Sequence, residues 1–205
     1  MYHLVMAITR RTFIAATALT TTVGSFSNAQ EDDGKYPMRF ASNIEMWWWK
    51  LPFIDRINAA ADAGFDAIEF WPWRGKDIDA IAKTCEERGV EVAQFTGWGF
   101  VPGMNNPKNH KKFVAEIIEG CKVAKKLNCK RMTVVGGNDQ TGMTQPEMHE
   151  HIIEALRLVK SIVEQEEIML IIEPMNIRVD HKGHCLYGSP DAVRICREVD
   201  SPMVK

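Results

Sequence analysis

Five times along this chain a short β-rich run is followed by a longer stretch with helical spacing, and that alternation constrains the fold more than any other feature. It is the pattern of strands joined by helical crossovers, which form a parallel sheet covered by helices. The runs are Arg39 to Ser42, Ala67 to Phe70, Val90 to Phe95, Arg131 to Val135 and Met169 to Glu173. The segment Ile168-Met169-Leu170-Ile171-Ile172 is apolar at every position, as expected of a strand covered on both faces. Between runs, Pro107 to Leu127 places Phe113, Ile117, Cys121 and Ala124 on one stripe, which predicts an amphipathic helix. Gln145 to Gln165 does the same with Met148, Ile152, Ala155, Leu156, Val159 and Ile162 turned inward. Gly64 and Gly89 stand where two helices stop, and a new strand follows each within a few residues.

Such tight returns predict an α/β fold of the (β/α)8 TIM barrel type, incomplete here, with about five βα units. Residues 201–205, Ser-Pro-Met-Val-Lys, read as the entry into a sixth strand. At about 35 residues per round, eight rounds need about 280 residues, near the usual size of such barrels. A chain of 205 residues is therefore expected to hold part of one. A five-stranded open sheet is the alternative. It would carry a Gly-x-Gly-x-x-Gly turn after the first strand, which is absent, and Gly136-Gly137-Asn138 is a weak substitute.

The barrel domain is expected over residues 38–205, because residues 1–30 have a different character. Arg10-Arg11 precede a mildly apolar run from Phe13 to Val23, and Ser27-Asn28-Ala29 follows, which matches a twin-arginine export signal. The expected destination is the periplasm, with the cytoplasm as the alternative. The apolar run is too short to span a membrane. The net charge of −2 leaves no basic field for nucleic acid. Five scattered cysteines, none spaced Cys-x-x-Cys, point to buried thiols rather than a zinc ribbon or disulfide scaffold.

In a parallel barrel the reactive groups sit at the C-terminal ends of strands, where the loops open into a common pocket. Glu173 is the sharpest candidate. A carboxylate closing a wholly apolar strand must be paired, metal-bound or perturbed in its titration. Glu69, Gln94, Asn138, Asn176 and His184 lie at or after strand ends and are candidates for the substrate pocket. His181 shares the loop of His184. The tryptophans 47–49, with Trp71 and Trp73, fit an aromatic wall or a lid or subunit contact equally well. His149 and His151 lie on a helix and face different sides, so they do not form a metal pair.

The segments Gly64-Phe65-Asp66-Ala67-Ile68-Glu69-Phe70 and Ile172-Glu173-Pro174-Met175-Asn176 resemble those of hydroxypyruvate isomerases, a family of the xylose isomerase-like barrels. The likeness runs from about Met38 to Lys205. It takes in the opening Arg39-Phe40-Ala41-Ser42-Asn43 and the stretch from Gly183 to Gly188 before the fifth helix. The resemblance implies that Glu173 is both a metal ligand and one of two glutamates that move a proton between adjacent carbons. The implied cofactor is a divalent cation, Mg²⁺ or Mn²⁺, and the implied substrate is a small hydroxy-keto acid or sugar. The implied reaction interconverts hydroxypyruvate and tartronate semialdehyde through an enediolate. A ketose 3-epimerase, an inosose-type enzyme and a non-catalytic exported sugar-binding protein are the alternatives, and a homo-oligomer is compatible with each. The pattern also implies that the other ligands and the second glutamate follow Lys205, so the chain alone is expected to be inactive.

Overall fold

The structure is a computed structural model that describes residues 39–205; the export segment expected over residues 1–30 lies outside them. Strand β1 is Ala41–Asn43, beginning two residues and ending one residue later than the sequence indicates. It is followed by α1 (Phe53–Asp62), β2 (Ala67–Phe70), α2 (Ile78–Arg88), β3 (Glu91–Trp98), α3 (His110–Lys126), β4 (Arg131–Val135), α4 (Gln145–Glu166), β5 (Met169–Glu173) and α5 (Ser189–Val199). The five strands form one parallel sheet in sequential order. That is the order of a barrel wall and not of a doubly wound sheet, whose strand order reverses at a switch point.

Local chemistry sets the boundaries. Asp77 caps α2 by accepting from the Ala80 N–H at 3.0 Å. Thr144 opens α4 with a capping box: the Glu147 carboxylate accepts from the Thr144 N–H at 2.7 Å, and the Thr144 hydroxyl accepts in return from the Glu147 N–H. Gly89 ends α2 in the left-handed region at φ 63°. The structure adds stops at residues with a side chain, since Glu167 and Asp200 adopt the same conformation after α4 and α5.

The helix-facing side of the sheet is the core. Ile68, Phe70, Phe95, Met132, Val134, Leu170 and Ile172 are all buried against apolar positions of the helices such as Ile57, Ile81, Phe113, Ile117 and Leu156. Phe70 stacks on Phe95 at 5.7 Å between ring centroids. The other side faces the barrel lumen, and there β5 departs from expectation. Its Met169 and Ile171 are only half-buried, so the strand is covered fully on its helix side alone. Beyond β5, the Leu170 N–H donates to Met203 O, the Lys205 N–H to Leu170 O and the Ile172 N–H to Lys205 O. Residues 203–205 thus begin to pair in parallel as the sixth strand.

All five cysteines are free thiols. Burial pushes Cys85, Cys121 and Cys129 up to about 11 and Cys185 to about 12, which makes them inert packing residues, as expected. Among the described residues no helix is long and apolar enough to cross a membrane.

Candidate active site

The C-terminal ends of β1 to β4 carry a continuous side-chain network across the lumen. The Thr133 hydroxyl donates to Gln94 Oε1 at 2.6 Å. This fixes the Gln94 amide, whose Nε2 donates to Glu69 Oε2 at 2.5 Å. The other oxygen, Glu69 Oε1, accepts from Asn43 Nδ2 at 3.1 Å. Asn43 Oδ1 in turn accepts from the backbone N–H groups of Glu45 and Met46 at 3.0 and 3.3 Å. Every amide orientation in the row is therefore dictated by its neighbours. Parallel registry explains the row: Asn43 lies beside Glu69, a bulge in β3 after Val92 sets Gln94 beside Glu69, and Thr133 pairs with Thr96, two residues from Gln94 on the same face of β3.

Glu173 ends β5 opposite Val135. Among the described residues its carboxylate has no hydrogen-bond or ion-pair partner. The residue is exposed overall at the open side of the lumen. Its pKa is nevertheless raised, first by burial of the carboxyl among neighbouring atoms, then by the Glu69 carboxylate, with His181 opposing. The residue is thus open to solvent on one side while its carboxyl stands partly desolvated against the lumen wall. Both carboxylates lie on the lumen side, since their strand neighbours Ile68, Phe70 and Ile172 face the helices.

The remaining sequence candidates are placed differently. Asn138 is exposed after β4, and its carbonyl, not its side chain, accepts from Asn105 Nδ2 and Gln140 Nε2 at 2.7 and 2.9 Å. Asn176 shapes the loop after β5: its Oδ1 accepts from the Arg178 N–H at 3.0 Å and its carbonyl from the His181 N–H at 2.9 Å. His184 is enclosed in the wall beside β4. It is buried, its Nε2 accepts from the Gly137 N–H at 3.2 Å, and its Nδ1 donates to Leu186 O at 2.8 Å. Both nitrogens are occupied by backbone, and burial lowers its pKa, so it is a neutral wall residue. His181 is the exposed histidine of that loop, and its ring stacks on Phe100 at 5.0 Å.

Gly136 and Gly137 serve packing here. A Cβ on Gly137, at φ 121°, would lie 2.5 Å from the Gly103 Cα, and one on Gly136 would lie 2.9 Å from Ile152 Cδ1. Sequence reasoning passed over Asn43 and Thr133 as site residues. The available signal was their place on lumen-facing positions beside Glu69 and Gln94, but that requires the registry. Of the tryptophans, Trp47 and Trp48 both pack edge-on against Phe65, at 5.7 and 6.4 Å, and Trp47, Trp49 and Trp71 are exposed.

Among the described residues no group of three or more His, Cys, Asp or Glu side chains could hold a metal ion. Glu173 offers an unpaired carboxylate of the right chemistry, but the donors here do not complete a cation site.

Residues 57–205 match the model of the family described as xylose isomerase-like TIM barrel. The chain belongs to that family. Its relatives include the hydroxypyruvate isomerase of Escherichia coli (strain K12), 24% identical over 173 residues covering 79% of this chain and 65% of the relative. The 2-oxo-tetronate isomerase of Pectobacterium atrosepticum is 25% identical over 177 residues, 81% of this chain and 65% of the relative. The chain thus spans just under two thirds of these family members. Among solved structures, the family 2 AP endonuclease of Brucella melitensis superposes with a TM-score of 0.69 at 24% identity, covering 81% of this chain and 66% of that one. A D-psicose 3-epimerase in the presence of D-fructose gives 0.66 at 17% identity, covering 82% and 62%, a likeness of fold. The family resemblance and the incomplete barrel read from the sequence are both borne out.

Proposed function

We propose that this chain carries part of the active site of an isomerase in which Glu173 moves a proton between adjacent carbons of a hydroxy-carbonyl substrate. The substrate is hydroxypyruvate. The carbon-bound proton leaves C3 to the Glu173 carboxylate, the hydroxyl proton passes from O3 to O2, and a proton returns to C2, giving tartronate semialdehyde. The observation that carries this reading is the unpaired, half-desolvated carboxylate at the end of β5. Partial burial makes it a stronger base than a free glutamate, and it is not tied up by any cation of the described residues. The names of the relatives support the reaction class. The relative named for 2-oxo-tetronate supports a second reading, the same shift on a four-carbon acid.

On the same reading Glu173 would supply one ligand to Mg²⁺ or Mn²⁺, which polarises the substrate oxygens when bound. The described donor set does not complete that site, so the steps above concern Glu173 alone. The test is Glu173→Gln in the full-length protein, assayed for isomerisation with Mn²⁺ or Mg²⁺ and with EDTA. Loss of turnover with the fold intact supports the reading. Full activity in the Gln variant overturns it, and binding without turnover in the unmutated protein would favour the non-catalytic alternative.

A further inference from the structure

We infer that the array Asn43, Glu69, Gln94 and Thr133 is a hydroxyl-binding site, which takes an alcohol group of the substrate on Glu69 and turns away its carboxylate. This rests on the reading of the lumen as the substrate site, and it names the end of the substrate that lies against β1 to β4.

Four observations carry it. First, Glu69 is a half-buried carboxylate with no cation partner among the described residues; its neighbours are two neutral amides, at 2.5 and 3.1 Å. Each amide fills one acceptor position, and a carboxylate has about four, so acceptor capacity remains. Second, Glu69 cannot reorient to suit an arbitrary ligand. Thr133, itself buried, fixes Gln94, and the backbone after β1 fixes Asn43. Third, Glu69 alternates along β2 with the core residues Ile68 and Phe70, and Glu173 follows the core residue Ile172 on β5, so both carboxylates stand on the lumen side of the sheet. Fourth, a second carboxylate brought there would meet like charge at both ends, whereas a hydroxyl donates into the acceptors already aimed. In this arrangement Glu69 touches substrate, and Asn43, Gln94 and Thr133 are positioning residues.

Hydroxypyruvate and pyruvate share the keto-acid end and differ by one hydroxyl, so the pair isolates the predicted contact. The probe is the set of side-chain amide signals of Gln94 and Asn43 in the 205-residue chain, followed by nitrogen-15 NMR during titration with each acid. Hydroxypyruvate is expected to shift both sets of signals saturably, with pyruvate about tenfold weaker, the size of one hydrogen bond to a charged group. Glu69→Gln should bring the two acids to within about twofold. Thr133→Val keeps the side-chain shape and frees the Gln94 amide to turn, so it should weaken the preference, and Thr133→Ser should restore it; a merely structural role for Thr133 would not be rescued in ligand preference. Amide signals that hydroxypyruvate leaves unmoved, equal affinity for the two acids, or a preference that survives Glu69→Gln would each overturn the inference. Failure of Glu173 as the proton carrier is read separately, as turnover retained in Glu173→Gln, which this titration does not measure.

Discussion

Glu69 and Glu173 are both glutamates on the lumen side of one sheet, with β3 and β4 between their strands, yet their surroundings differ. Glu69 is tied by two amides whose orientations are themselves fixed. Glu173 has no protein partner among the described residues and carries a raised pKa. A carboxylate held by neutral donors is suited to binding and orienting, and one left unpaired in partial burial is suited to taking up a proton. The lesson is that strand-end position alone does not assign a role; the partners of the side chain do.

Four substitutions probe that contrast, in decreasing order of expected effect. Glu173→Gln in the full-length protein should lower kcat/KM by about a thousandfold, typical of a lost acid-base group, while a urea melt shows stability within about 0.5 kcal/mol, because no partner is orphaned. Glu69→Leu should do the reverse first: it strands the Asn43 and Gln94 amides and should cost about 2 kcal/mol of stability by denaturant midpoint. Equal stability losses at the two sites would erase the distinction between them.

A smaller effect belongs to His184. Its pKa in the fold lies below the ordinary 6.5 because burial disfavours the imidazolium. The unfolded chain therefore binds more protons as pH falls through 6.5, and stability present above that pH is lost progressively until the folded-state pKa is reached. Melts at stepped pH should show this loss, and His184→Gln, which cannot titrate, should make it shallower. The smallest effect is expected for Asn138→Ala. Its side chain is exposed and unused, since the carbonyl makes the contacts, so stability should change by less than about 0.5 kcal/mol.

The sequence made the architecture legible because its signals are local. Apolar runs, helical stripes and Gly89 set β2, β4, β5 and the turn after α2 with little ambiguity. The place of Glu173 at the end of β5 was legible for the same reason, a charge ending an apolar run. The network was not. Gln94 meets Glu69 only because β3 bulges, and Asn43 meets Glu69 only through parallel registry, neither of which is written in local periodicity. The burial of His184 was hidden for a related reason: loop position predicts exposure, but the antiparallel bridge between Asn138 and His184 carries it into the wall. The half-open lumen face of β5 also lay beyond local reading, since an apolar run does not say how many of its faces are covered.

The most direct measurement is a carbon-13 titration of the Glu173 carboxyl in the 205-residue chain and in its Glu69→Gln variant. The account expects Glu173 to titrate above the ordinary 4.5 and to move back toward it when the Glu69 charge is removed, with a residual elevation from burial. A Glu173 that titrates at or below 4.5, or is indifferent to Glu69→Gln, would contradict the picture of two carboxylates sharing one lumen.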